Sequence, residues 1–441
     1  MVSVMSRAKI RTAAPMIASV GALALLLTAC GGGAGNSTGQ AQGSKEFTYL
    51  TNVENTTIKG ELDTLSKDQC KSENDKQPLK VDTVPQTSLD QKLQLLAGQN
   101  ALPVQFAAGN APALTQDLDK SGNVLDFEKA FKDLGMSDAI LPGAASTIKS
   151  LYGGKLNVLP YQYNVEGVWY NKKLFADNGI PAPKTWDEFV AAGEKLKGAG
   201  VQPLSASGKQ GWPLTRLLSG YIFSDLGPDA LKKVADGQAK LTDPQYVKAA
   251  QAIADLGSKG YFGDGVGSID YDTAANQFLT GKAGMFYMGS WILANFNDKT
   301  KNKIGEENIG FLPFPKVSGG KGIDNQYAAN VGLPMTFNAK KYDANASAWL
   351  KCIATNYGSA ALKDQASISG FKVNTPVENL DPLVKSTQET VNSTKESVLW
   401  FEALFSTKAT TTSQTNAAGL VTGSVSPQKF MELVQADLGA K

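Results

Sequence analysis

Residues 79–107 read LKVDTVPQTSLDQKLQLLAGQNALPVQFA, and the change of apolar period within them decides the fold. Leu79-Lys-Val-Asp-Thr-Val84 alternates as a strand does, with one face apolar. Leu89 to Ala97 then carries apolar residues at helical spacing, and Leu102 to Ala107 is a second apolar strand that ends at Gly109-Asn110. Upstream, Phe47-Thr-Tyr-Leu-Thr51 reads as a strand. Thr56 to about Ser72 reads as one helix, with Ile58, Leu62 and Leu65 on a common stripe. Strand, helix, strand, helix, strand implies a mainly parallel sheet with helices on its faces.

The middle of the chain repeats that grammar. Leu156 to Pro160 and Gly167 to Tyr170 read as strands on either side of residues 161–166. Thr185 heads a helix from Trp186 to about Gly198, with Glu188 at its third position, the signature of a capping box. Helices are expected near 213–225, 228–235, 244–259 and 272–280, and Ala283 to Met288 as a strand with Gly289-Ser290-Trp291 opening a helix at its end. Phe311 to Pro315 and Ala329 to Thr336 complete the strands, and residues from Ala344 onward are mainly helical, with a break around Gly370-Phe371-Lys372. No short fixed repeat runs through the chain.

Composition excludes several kinds of protein. The 441 residues hold 43 Lys and Arg against 41 Asp and Glu, with no histidine. That near-neutral balance lacks the basic face of a nucleic-acid binder. Without histidine the usual general base of serine and cysteine hydrolases is missing, as is the commonest zinc ligand. The three cysteines do not have metal-site spacing, and no cofactor is expected. Cys70 and Cys352 lie far apart in the sequence, Cys352 within a helical stretch; two separate thiols are expected, with a bridge as the alternative. Length alone suggests two domains.

Leu159-Pro-Tyr161, Val168-Trp-Tyr-Asn171, Thr185-Trp-Asp-Glu-Phe189, Leu279-Thr-Gly-Lys-Ala-Gly-Met-Phe286, Gly289-Ser-Trp291 and Phe311-Leu-Pro-Phe-Pro315 occur in an order that resembles the family 1 extracellular solute-binding proteins of sugar-importing ABC transporters. The resemblance spans residues 46–438. It implies a two-lobed periplasmic-binding-protein-like α/β fold, each lobe a mainly parallel sheet flanked by helices, joined by hinge crossings. A sugar is then held between the lobes, and the closed receptor is presented to permease subunits. The expected division is 46–158 with 290–340 for one lobe and 159–289 with 341–441 for the other. Leu102-Pro-Val-Gln105 departs from the Pro-Asp that many relatives carry there.

Ligands of open α/β sheets bind beyond the carboxyl ends of strands. That rule selects Asn52, Glu54, Asn55, Gly109, Asn110, Tyr161, Tyr163, Asn164, Ser290, Trp291 and Asn330. Amides, hydroxyls and rings suit a neutral oligosaccharide, since rings cover C–H surface and amides pair with hydroxyls. Tyr161 and Tyr163 share a face by alternation, with Gln162 opposite, so at least one should line the cleft. Trp291 is expected in the cleft. Trp212, in a glycine-rich loop, is divided between core and ligand, leaning to ligand. Asn330 either bonds sugar or caps its own loop. Phe371 and Lys372 match a loop that reaches the ligand in relatives, with ordinary packing as the alternative. Trp169, Trp186, Trp400 and Phe401 are expected in the core. Asp270 and Asp272 lack a calcium-loop pattern and read as a helix entry.

Arg7, Lys9 and Arg11 precede an apolar run from about Ala13 to Leu27, followed by Leu27-Thr-Ala-Cys30. A basic, then apolar, then small-residue order is the secretory pattern, and this one resembles the lipobox of bacterial lipoproteins. It implies that residues 1–29 are a removed signal peptide and that Cys30 carries a lipid. The apolar run is too short to span a bilayer as a helix. Removal of the leader leaves 40 basic against 41 acidic residues. Residues 30–45 read as a flexible linker. The expectation is a monomeric, non-enzymatic sugar receptor, lipid-anchored at the outer face of the cell membrane, with ABC permease subunits as partners and no nucleic acid. The rival is a secreted glycoside hydrolase, for which Glu54 and Glu166 are the candidate carboxylates.

Overall fold

A computed structural model describes residues 44–109, 112–324, 327–393 and 397–439. The leader, Cys30 and Asn110 lie outside the described residues. Strand β1 (Phe47–Asn52) is the centre from which the first sheet grows. It pairs in parallel with β2 (Leu79–Val84) and β3 (Gln105–Ala107), and β9 (Met335–Phe337) closes the far side antiparallel to β3. β2 has the bounds expected from alternation, whereas β3 shortens to the last three residues of its apolar run.

The helix expected from 56 to 72 is two helices, Thr56–Lys67 and Lys71–Lys76. The break places Cys70 against the helix Ala344–Gln365, where it is joined to Cys352 in a disulfide with Cα atoms 5.8 Å apart. This corrects the expectation of two separate thiols. The pairing spans 282 residues and is set by the docking of one helix on another.

The second sheet is mixed, not mainly parallel as expected. Its order is β10 (Ser397–Val398), β8 (Tyr327–Asn330), β4 (Asn164–Asn171), β6 (Ala283–Gly289) and β5 (Gln202–Ser205), and β7 (Ile309–Leu312) also pairs with β4. β4 runs antiparallel to β6, β7 and β8. On β6, Met285 and Tyr287 face one core while Phe286 and Met288 face another. A strand buried on both faces needs no polar alternation, which is why Ala283 to Gly289 is buried throughout. Trp169 and Trp186 belong to these cores as expected; the Trp169 indole donates to the Met288 carbonyl at 2.9 Å. The capping box is present: Thr185 accepts from the Glu188 amide, and the Glu188 carboxylate accepts from the Thr185 amide.

Two parts of the expected lobe division are corrected. β7 and β8, placed with the first lobe, complete the second sheet because the β4 edge offers them partners. The helix Ala344–Gln365, placed with the second lobe, buries Trp349, Leu350 and Ile353 in the first core. Residues 156–160 make one isolated bridge, Leu159 to Met335, rather than a strand. The run 329–336 splits between two sheets.

The chain passes between lobes at residues 160–164, at 331–335 and again between 366 and 371. These segments lie side by side, with the Tyr163 amide donating to the Ile368 carbonyl at 2.8 Å and the Gly370 amide to the Pro160 carbonyl at 2.9 Å. Gly332 takes φ +66°, and a Cβ there would strike the Gln162 side chain. Only glycine lets this crossing turn so close to its neighbour. Among the described residues, no helix is long and apolar enough to cross a membrane.

Candidate ligand-binding cleft

A cavity of about 370 Å³ opens between the lobes and takes its walls from both. This volume sits at the lower end of the range of about 300–1,000 Å³ for small-molecule sites. The first lobe contributes Asn52, Glu54, Asn55 and Gln86. Asn52 ends β1 and accepts from the Asn55 amide at 2.8 Å; Asn55 in turn caps the helix Thr56–Lys67 by accepting from Ile58. Glu54 accepts from the Gln86 amide at the head of the helix Gln86–Gly98.

The second lobe contributes an aromatic cluster. Trp212 opens the helix Trp212–Leu226 after Gly211, and its ring lies 6.1 Å from Tyr271 at 30° and 5.7 Å from Trp291 at 63°. Trp291 stands at the turn after β6, folded over Gly289, where a Cβ would collide with its ring. These three rings are only partly buried and so present faces to the cleft. The Trp212 indole N–H donates to the Gln86 side-chain oxygen at 3.2 Å, which joins the lobes across the cleft.

Arg216, one helical turn beyond Trp212, reaches the cleft floor. Its guanidinium lies 4.6 Å from the Trp400 ring centre and 5.7 Å from that of Trp212. It pairs with the buried carboxylate of Glu166, which also accepts from Asn330 at 2.6 Å. A second buried carboxylate, Glu402, is held by Thr215 and Ser413. Burial pushes both carboxyls above their ordinary range, and the Arg216 charge opposes that rise.

The expected residues divide. Glu54, Asn55, Trp212, Trp291 and Asn330 line the cleft. Asn330 also caps its own loop, accepting from the Gly332 amide at 2.7 Å, as the loop-capping reading of it expected. Six residues do not line it, among them Ser290, buried just past β6. Tyr161 is buried in the first core, where its hydroxyl donates to Gln105 at 2.8 Å and its ring meets Tyr357 and Phe371. Tyr163 turns to the same side, against Gly143. The alternation was right and the facing was inverted: Gln162 lines the cleft. Asn164 is buried at the start of β4, accepting from Ser290 at 3.1 Å. Phe371 packs in the first core, and Lys372 pairs with Asp138 at the surface.

Gln86, Arg216, Tyr271, Asn276, Asn295, Trp400 and Gln414 line the cleft without having been expected there. Gln86 follows β2, so the strand-end rule reaches it, and Arg216 shares a helix face with Trp212 four residues before it. Trp400, assigned to the core, is mostly buried and still reaches the cleft. Gln414 comes in on a distant helix, whose backbone leaves no space for a side chain at Gly211. Asp270 caps the helix Tyr271–Leu279, as a helix entry should, while Asp272 lines the cleft. Among the described residues no cluster of histidine, cysteine or carboxylate side chains could hold a metal ion.

Comparison with known proteins agrees with this geometry. A profile of the bacterial extracellular solute-binding protein family matches residues 67–360. An uncharacterised ABC transporter extracellular-binding protein of Pyrococcus horikoshii is 27% identical over 228 residues, 49% of this chain and 50% of its own length. The multiple sugar-binding protein of Streptococcus mutans is 25% identical over 328 residues, 70% of each chain. The chain spans about half the length of the curated relatives it matches first. Among solved structures, a chitin oligosaccharide binding protein superposes with a TM-score of 0.78 at 30% identity, covering 89% of this chain and 97% of that one.

Proposed function

We propose that this chain, which belongs to the bacterial extracellular solute-binding protein family, captures a short neutral oligosaccharide between its lobes and delivers it to the permease of an ABC importer. The observation that carries this reading is the make-up of the cleft. Trp212, Tyr271 and Trp291 offer ring faces beside eight amide side chains contributed by both lobes and the crossings. Rings cover the C–H faces of a sugar, and amides both donate to and accept from its hydroxyls. The guanidinium on the floor is already opposed by Glu166 and Glu402; Lys301, the other cation of the lining, pairs with Asp298 at 3.6 Å, and Glu54 and Asp272 add negative charge. That balance disfavours a phosphate or uronate.

The hydrolase alternative loses support at the same place. Glu54 lies in the cleft, but Glu166 is buried and bound to Arg216 and Asn330, so it is not a free acid or nucleophile. Two carboxylates flanking one bond are what that chemistry requires. The receptor needs no covalent step. Closure of the lobes on the sugar follows from contacts available only when both sides meet it.

The leader motif supports attachment through a lipid on Cys30, with the linker of residues 30–45 giving the monomeric body reach outside the cytoplasm. Replacement of Cys30 by Ser should move the protein from the detergent phase to the aqueous phase in a partition assay. Calorimetry of the mature protein against neutral, uronic-acid and phosphorylated sugars tests the ligand class. Micromolar binding, about −8.2 kcal/mol, is expected for a neutral oligosaccharide. Tighter binding of a charged sugar, or release of shorter products from the oligosaccharides, would sink the reading.

A further inference from the structure

We propose that Glu166, which does not itself line the cleft, is the positioning residue of its floor, fixing Asn330 and Arg216 in the orientation in which they meet the ligand. The inference rests on the sugar-binding reading and adds a residue to it. Glu166 lies on β4, directly beyond the crossing at 160–164, and is only 2% exposed. Its oxygen Oε1 accepts both from Asn330 Nδ2, at 2.6 Å, and from Arg216 Nη1. One carboxylate oxygen thus holds two cleft residues from two separate elements, β8 and the helix Trp212–Leu226.

The chemistry of the contacts fixes the direction of each group. A carboxylate only accepts, so Asn330 must turn its NH₂ toward it. At its other end the amide oxygen accepts from the Gly332 N–H at 2.7 Å, a group that only donates. Asn330 is therefore pinned against a flip and keeps one N–H to offer a sugar oxygen. Arg216 is held in the same way, between Glu166 and the Trp400 ring. Its Nε is buried without a hydrogen-bond partner among the described residues, so the ion pair and the ring set its pose.

A glutamine at 166 keeps the shape of the side chain but presents either an oxygen or an NH₂, and removes the charge that holds Arg216. An aspartate at 330 sets a second carboxylate against Glu166. The charged and titratable groups facing Glu166 are Arg216, Glu402 on the segment 399–405, and Tyr287 on β6.

The test uses the mature protein with N,N′-diacetylchitobiose, xylotriose and raffinose as probes, followed by calorimetry. Against the sugar that wild type binds best, E166Q is expected to bind about ten- to hundredfold more weakly while melting within a few degrees of wild type. N330D should bind weakly at pH 8 and recover at least about tenfold at pH 5, where one proton shared by the two carboxyls restores a donor. Wild type should change little over that range. Unchanged affinity in E166Q, or a flat pH profile in N330D, overturns the proposal. If wild type binds none of the three sugars, the ligand reading fails by itself and positioning is judged without ligand. A shifted tryptophan emission in E166Q and a displaced Asn330 in its crystal structure then support it, and an unchanged spectrum and structure reject it.

Discussion

Trp212 and Gln86 are joined across the cleft by a 3.2 Å hydrogen bond from indole N–H to amide oxygen, one residue from each lobe. The bond pairs an aromatic wall with the head of the helix Gln86–Gly98, whose amide is tied in turn to Glu54. Trp212→Phe keeps the ring and removes the donor. Small-angle scattering should show a larger ligand-free radius for W212F. Its sugar affinity should fall about fivefold, the value of one hydrogen bond near 1 kcal/mol. An unchanged radius would mean that other contacts hold the lobes together.

Gly289 is needed for the shape of the site rather than for its strand. Its Cα lies beneath the Trp291 ring, leaving no room for a methyl group. Gly289→Ala should therefore push Trp291 out of place, weakening sugar binding by about fivefold through a lost ring contact of about 1 kcal/mol. Far-ultraviolet dichroism should remain that of the wild type. Undiminished binding would show that Trp291 is not a ligand platform.

Glu61 is fully buried between the helices Thr56–Lys67 and Ala344–Gln365, and neither of its oxygens has a partner among the described residues. Burial, followed by the charge of Asp364, pushes its carboxyl up to about 7. The folded form holds the proton above the ordinary carboxylate range and the unfolded form does not. Its contribution to stability is therefore complete below about pH 4.5 and is lost as pH rises to about 7. Glu61→Gln should stabilise the protein at pH 8 by up to about 3 kcal/mol, with little difference at pH 4.5. Urea titrations at both values check the sign, and a larger gain at the lower pH would contradict it.

The bridge from Cys70 to Cys352 restrains the unfolded chain over 282 residues. Replacing both cysteines by serine should cost about 2–5 kcal/mol. Scanning calorimetry of the oxidised wild type against this variant measures the loss, and equal melting would show that helix packing alone suffices.

Local devices were legible in the sequence because their information is local. The Thr185 and Glu188 capping box needs only spacing three, and β2 needs only alternation over six residues. Strand ends likewise pointed to Glu54, Trp291 and Asn330. Alternation also showed that Tyr161 and Tyr163 share a face, but which face meets the cleft depends on how the crossing segments lie against residues 368–370. The disulfide and Gln414 are set by helices that meet only in the folded molecule. The division of β7, β8 and the helix Ala344–Gln365 between lobes has the same origin. Edge pairing on β4 and apolar contact with the first core decide it, and neither is written in neighbouring residues.

The Cys70–Cys352 bridge also makes the chain a closed ring from residue 70 to residue 352. That ring contains strands β2 through β9 and the crossings at 160–164 and 331–335. A protease that cuts once anywhere between residues 71 and 351 therefore opens the ring without releasing a fragment. The nicked molecule runs as one species on a non-reducing gel and separates into two only when a thiol reductant opens the bridge.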